Sequence, residues 1–253
     1  MNTESSSKIN QLFHKWPKGT VAVDSWLEEQ GVSVDLKWSY VRSKWLSPLG
    51  HGAAIWHQDK VTWHGGLYAL QQQLHVPIHL GGKSALEELG LGHFVRYQKI
   101  KIFLFASQKT QLPRWFTSFK WEADVQTICS NFLPTELGLT KKKFGEFEIQ
   151  LSSPERAILE VLYLVPSKQS VEESSLLFEG LTTLRPSLLQ ELLVKCGSVK
   201  VKRLFLFLAE RQQHSWFKRL DLSQINLGKG NRSLVKGGVL NRKYGITIPK
   251  EME

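Results

Sequence analysis

The stretch SVDLKWSYVRSKWLSPLGHGAAIW, residues 33–56, sets the fold of the N-terminal part of the chain. Ser33 is a typical helix N-cap, and Leu36 and Tyr40 then recur at helical spacing. Further along, two short apolar segments flank Gly50-His51-Gly52, a pattern typical of a β-hairpin. The stretch therefore predicts a helix that is followed directly by a two-stranded hairpin.

Two more helices are predicted ahead of this stretch. The segment KINQLFHKW has one apolar stripe at helical spacing and is stopped by Pro17. The segment VAVDSWLEEQG offers Asp24 as a cap and Gly31 as a left-handed end. A helix, a glycine turn, a second helix and a hairpin together predict a winged helix-turn-helix.

The rest of the chain alternates between helical and strand patterns up to about residue 150 and is mainly helical after Ser152. KIKIFLFA and FGEFEIQLS are predicted strands, whereas the lysine cluster TKKKF, residues 140–144, is expected to be an exposed loop. The fold class that follows is α+β. It consists of a winged helix-turn-helix domain with connecting helices, residues 1–95, and a larger mixed α/β domain, residues 96–253.

The segment KCGSVKVKRLFLFLAERQ, residues 195–212, gathers cations ahead of an apolar run. A helix capped by Ser198 fits better than a strand, because it forms a buried stripe of Val201, Leu204, Phe205 and Leu208. Cations in the first turn oppose the helix dipole, so they favour an anion-binding site there. The alternative is that Glu191 or Glu210 neutralises them.

The net charge of +10 is concentrated near the C-terminus. Residues 198–243 carry eleven cations against two acids, whereas residues 1–90 carry eight of each. Such a density predicts a polyanionic partner, although a solvated basic face is the alternative. The candidate basic surface comprises Lys200, Lys202, Arg203, Arg211, Lys229, Arg232, Arg242 and Lys243.

No pattern in the chain predicts catalysis, a metal or a cofactor. Phosphate-binding loops, nucleophile elbows and zinc-protease motifs are missing from the sequence. His75 and His79 have ligand-like spacing, but Pro77 spoils a helix between them. We therefore expect a protein that is not an enzyme. The polar start, two distant cysteines and the lack of a long apolar run predict a soluble cytoplasmic chain that does not enter a membrane.

Several phrases resemble the AbiEi family, the antitoxins and transcriptional regulators of bacterial type IV toxin-antitoxin systems. They are YALQQQLHVPIHLGGKSALEELGLGHF, SSPERAILEVL, EGLTTLRPSLLQELLVKCGSVKVKRLFLFLAE and LGKGNRSLVKGGVLNRKYGITIP. The resemblance implies that the winged helix binds inverted repeats in double-stranded operator DNA and represses its own operon. It also implies that the second domain counteracts a nucleotidyltransferase toxin without forming a stable complex with it.

Carried onto this sequence, the resemblance makes residues 34–45 the recognition helix and Gly50-His51-Gly52 the wing. The expected DNA contacts are Lys37, Trp38, Ser39, Arg42, Ser43, Lys44 and His51. The wing departs from expectation because it has no arginine. An RNA-binding module and a protein-interaction module that uses the basic C-terminal surface remain alternatives.

Overall fold

A computed structural model of the chain describes residues 7–92, 100–107 and 110–252. Its first elements are α1 (Lys8–Lys15), β1 (Ala22–Val23), α2 (Asp24–Glu29), α3 (Val34–Arg42), β2 (Leu46–Pro48) and β3 (Ala53–Trp56). The three strands form an antiparallel sheet in the order β1-β3-β2. This arrangement confirms the predicted winged helix-turn-helix.

The winged helix has a small core of its own. Leu12 of α1 and Leu27 of α2 are buried there, and the Trp16 ring stacks on Trp56 with 4.5 Å between ring centroids. Ser33 caps α3 as predicted, since its Oγ accepts a hydrogen bond of 3.3 Å from the Leu36 amide. The spacing of apolar residues thus orients α3 with one face inward and one face to solvent.

A five-stranded mixed sheet forms the centre of the larger part of the molecule, which comprises the described residues from 63 to 252. The elements that build it are α4 (Trp63–Tyr68), which continues into a π-helical turn (Ala69–Gln73), β4 (Ile78–Leu80), α5 (Gly82–Glu88), β5 (Lys101–Ala106), α6 (Arg114–Ser118), β6 (Asp124–Cys129), β7 (Leu139–Phe144) and β8 (Phe147–Ser152). The strand order is β6-β5-β4-β8-β7. The pairs β4–β8 and β5–β6 are parallel, and β4–β5 and β7–β8 are antiparallel.

The lysine cluster of residues 140–144 was expected to be a loop, and this expectation is wrong. It forms β7, an edge strand in which Lys142 pairs with Ile149 of β8. The Lys142 ammonium reaches Glu88 of α5 at 2.8 Å, and Lys141 reaches Glu148 at 2.6 Å. Pairing with β8 outweighs the weak strand propensity of lysine, and exposed lysines on an edge strand oppose pairing with other chains.

The predicted domain boundary between residues 95 and 96 lies in residues 93–99, outside the described residues. The central sheet uses strands from both sides of this boundary, because β4 precedes it and β5 follows it. Their hydrophobic residues share one core, which includes Leu80 and Leu104. The boundary stays a prediction, and the sheet ties the two segments together.

The C-terminal part packs helices on the central sheet and ends in a small three-stranded sheet, which is the second sheet of the larger part. Its elements are α7 (Pro154–Leu164), α8 (Val171–Glu179), α9 (Pro186–Lys195), α10 (Val199–Gln212), β9 (Arg232–Ser233), β10 (Val239–Asn241) and β11 (Ile246–Ile248). The prediction of a helix at α10 is confirmed, since the Ser198 hydroxyl caps it and residues 201–209 are buried. Within the described residues, every helix is too short or too polar to cross a membrane.

Candidate nucleic-acid interface

The outer face of α3 carries most of the residues expected to contact DNA. Leu36, Tyr40 and Val41 pack against the small core, and this leaves the opposite side of the helix in solvent. Trp38 is 45% exposed there. The other expected contacts are exposed in Arg42, Ser43, Lys44 and His51 and half-buried in Ser39. The chain therefore presents an aromatic ring, two cations and hydroxyl groups on and just beyond one helix.

Lys37 requires a correction, because the structure turns it inward. Its ammonium lies 2.7 and 2.8 Å from the two carboxylate oxygens of Asp24, and its side chain is only 9% exposed. A buried cation needs such a partner, because removing a charge from water costs free energy that only an opposite charge and hydrogen bonds can offset. Lys37 therefore ties α3 to the start of α2 and leaves the set of exposed DNA-contact candidates.

The predicted wing is present as the hairpin of β2 and β3, and its turn is held against neighbouring elements. Gly50 and Gly52 have φ angles of 105° and 90°, in the left-handed region that favours glycine. The Gly52 carbonyl accepts a hydrogen bond of 3.0 Å from the Asp24 amide. Leu49 is buried in the main core, to which Trp115 of α6 also belongs. The wing turn thus rests on the larger part of the molecule.

Lys200 was expected on an anion-binding surface, but its ammonium binds backbone carbonyls. It donates to the Tyr163 oxygen at 2.7 Å and to the Val165 oxygen at the end of α7. A helix C-terminus leaves carbonyls without intrahelical partners, and a cation there also complements the dipole. Burial lowers the pKa of Lys200 below its ordinary value. Lys200 therefore caps α7, and neither Glu191 nor Glu210 is its partner.

Arg203 and Lys202 are also withdrawn from the expected basic surface. The Arg203 guanidinium donates to the carbonyl of Leu227 at 2.9 Å and to that of Gly245 at 2.8 Å. It further binds the carbonyls of Gly228 and Gly230. Both Arg203 and Lys202 are nearly buried, with 5% and 6% of their surface exposed. Arg203 therefore organises the loop that leads to the second sheet, and both side chains are withdrawn from the exposed surface.

The other residues of the expected basic surface are exposed, and three of them are engaged within the chain. The Arg211 guanidinium binds the Met252 carbonyl, and Lys243 forms an ion pair with Glu210. Arg232 donates to the carbonyl of Asn231 at 3.1 Å. Lys229 and Arg242 complete the exposed set on the loops around the second sheet. The basic surface is thus smaller than the charge count suggested.

A buried polar network was missed by the sequence analysis. Glu160 of α7 accepts hydrogen bonds of 2.8 Å from His79 and from Arg156, and bonds of 2.7 Å from Ser152 and 2.9 Å from the Gly82 amide. Burial by itself would raise the pKa of Glu160, but His79 and Arg156 hold it below its ordinary value. The sequence did contain one signal for this network, since Arg156 and Glu160 lie four residues apart in an otherwise apolar helix. The network joins β4, α5, α7 and β8.

Comparisons with known proteins agree with this architecture. Residues 99–249 match a family described as transcriptional regulator, AbiEi antitoxin, type IV TA system. Residues 5–97 match the family described as transcriptional regulator, AbiEi antitoxin N-terminal domain. The fold is similar to the crystal structure of the RV2827C protein from Mycobacterium tuberculosis, with a TM-score of 0.60 and 14% identity over 97% of this chain and 91% of that chain. None of the curated proteins matches the sequence.

Proposed function

The chain belongs to the AbiEi family of antitoxins and transcriptional regulators of type IV toxin-antitoxin systems, and from this we propose that it binds and represses its own operator. The operator would be double-stranded DNA with inverted repeats, read in the major groove by α3. We propose no catalytic step for this chain and no stable complex between it and the toxin.

The observation that carries the DNA half of the proposal is the exposed side of α3. Arg42 and Lys44 are exposed at its C-terminal end, where they can bind backbone phosphates. Ser39 and Ser43 offer hydroxyl groups of the kind that read base edges, and exposed Trp38 can pack on a sugar. Asp24 at the start of α2 forms an ion pair with Lys37 of this helix, so its charge is neutralised.

For the antitoxin half, we propose that the larger part counteracts a nucleotidyltransferase toxin through the remaining exposed cations. These are Arg211, Lys229, Arg232, Arg242 and Lys243. Lys229 and Arg242 stand out, because both are exposed on the loops that flank β9, β10 and β11. RNA and acidic protein surfaces are the polyanions that such a surface would attract.

A crossed experiment tests both halves with variants that each remove two positive charges. Arg42→Ala with Lys44→Ala is expected to lose operator binding and to keep toxin neutralisation in growing cells. Lys229→Ala with Arg242→Ala is expected to show the reverse. Operator binding is measured by fluorescence anisotropy over a range of salt, where each lost phosphate contact lowers the slope of log Kd against log salt by about 0.9.

Three results would contradict the proposal. Unchanged operator affinity in the Arg42 and Lys44 variant would remove α3 from DNA binding. Unchanged neutralisation in the Lys229 and Arg242 variant would remove the second sheet from toxin antagonism. Preference of the wild-type chain for RNA over operator DNA would replace the proposal with the RNA-binding alternative. A variant with Lys141→Ala and Lys143→Ala on β7 is the control, since both lysines are exposed on an edge strand of the central sheet and belong to neither proposed surface.

A further inference from the structure

The wing turn has no cation of its own. Between Lys44 and Lys60 the chain has no lysine or arginine, and the turn itself offers only His51 as a polar side chain. Cations that neutralise phosphates supply nearly all of the non-specific affinity of a protein for duplex DNA and a large share of the specific affinity. A winged helix with such a wing would contact the backbone weakly on that side unless another part of the molecule supplied positive charge.

The larger part of the molecule brings an arginine to this place. Helix α6 begins with Arg114, which is exposed, and continues with Trp115 and Phe116, which are both 3% exposed. A Cβ at Gly50 would lie 3.6 Å from the Trp115 Cα, so the wing turn packs directly on α6. The two buried aromatic rings fix the backbone of α6, and Arg114 is therefore held beside the wing by packing.

Arg114 and the wing line one open cleft of about 350 Å³. Its other polar walls are Ser25 and Asp24 at the start of α2, and His51 lies on the wing side. The Asp24 carboxylate is bound by Lys37, so it does not cancel the charge of the guanidinium. Within the described residues, Arg114 forms no ion pair with an acid of the chain. The cleft therefore presents an unpaired guanidinium between the wing and the helix-turn-helix.

We propose that Arg114 binds a backbone phosphate of the operator next to the wing and supplies the cation that the wing lacks. The inference rests on the proposed DNA binding and extends it, because it gives the larger part of the molecule a direct contact with DNA. A duplex suits the cleft better than a small anion does. The cleft is open to solvent, and the start of α2, the wing and α6 all contribute to its walls. In helix-turn-helix proteins the helix that precedes the recognition helix crosses the DNA backbone, so a group beside the start of α2 is placed to meet a phosphate.

The test compares wild type, Arg114→Ala, Arg114→Lys and Lys120→Ala by anisotropy with operator and with random duplex DNA. Lys120 is exposed on the same segment and lines a different cleft, so it controls for general loss of charge. Arg114→Ala is expected to weaken binding to both duplexes and to lower the salt slope by about 0.9. The ratio of the Kd of this variant to the wild-type Kd should therefore fall by about threefold between 0.05 and 0.2 M salt.

Arg114→Lys should restore the slope, because the contact is with a phosphate and carries no base information. The inference would be overturned if Arg114→Ala had the salt slope and the affinity of wild type. It would also be overturned if Lys120→Ala lost as much affinity as Arg114→Ala. In both cases the proposed function would stand if the Arg42 and Lys44 variant still lost binding. A wild-type chain that binds neither duplex would overturn the proposed function together with this inference. A melting temperature of Arg114→Ala equal to wild type is the check on folding.

Discussion

Replacing Arg203 with methionine should destabilise the folded protein but should change its exposed surface little, because Arg203 is buried. Methionine has about the length of the arginine stem but has no donors, so the carbonyls now bound by the guanidinium lose their partner. Two of these, Leu227 and Gly245, belong to half-buried residues, whereas Gly228 and Gly230 are exposed and can turn to water. The variant isolates the role of a cation that sequence analysis assigned to a polyanion.

The magnitude follows from the two half-buried acceptors. A hydrogen bond to a charged group contributes about 1.5 to 3 kcal/mol, and two such bonds at the lower end give a loss of about 3 kcal/mol. In a chain of this size, each kcal/mol shifts the melting temperature by about 2 to 4 °C, so a fall of roughly 6 to 12 °C is expected. Arg219→Met is the matched control, because Arg219 lies outside the surface proposed to counteract the toxin. Its side chain is exposed, and a change within about 0.5 kcal/mol is expected.

The assay is chemical and thermal unfolding followed by circular dichroism, together with toxin neutralisation in cells. Arg203→Met should have a lower denaturation midpoint, and any loss of neutralisation should track the loss of folded protein. The reasoning would be refuted if Arg203→Met melted at the wild-type temperature and still failed to neutralise the toxin. That result would mean that the Arg203 guanidinium acts on a partner, as the charge pattern alone suggested.

Two other predictions concern ion pairs. Lys37→Met leaves Asp24 without its partner, so the winged helix should lose about 1 to 2 kcal/mol of stability and bind operator less tightly with an unchanged salt slope. A stable variant with a reduced slope would put Lys37 back on the DNA. The hydrogen bond from His64, followed by that from Lys142, lowers the pKa of Glu88 from 4.5 to about 2 despite partial burial. The folded pKa lies below the unfolded one, so this stability is present above pH 4.5 and is lost as the pH falls towards 2. Glu88→Gln should flatten the fall of the melting temperature in that window, and parallel curves for variant and wild type would contradict the assignment.

Much of the winged helix could be predicted from short-range patterns. The cap at Ser33, the left-handed helix end at Gly31 and the hairpin around Gly50-His51-Gly52 were predicted and are present in the structure. The exposure of Trp38 and Arg42 followed from the apolar spacing of α3, because a helix that buries one stripe presents the other. The lysine-rich β7 could not be predicted, since its strand conformation depends on pairing with β8 and on the reach of Lys142 to Glu88.

The sequence by itself determined where helices begin and end, because caps, turns and apolar periodicity act between residues a few positions apart. It also determined the family resemblance that the comparisons confirmed. The tertiary structure alone decided where each cation points. The partner of Lys37 lies 13 positions away, and the carbonyls bound by Arg203 lie 24 to 42 positions away. A charged group is held by whatever oxygen the folded chain brings within about 3 Å, and no local pattern encodes that distance.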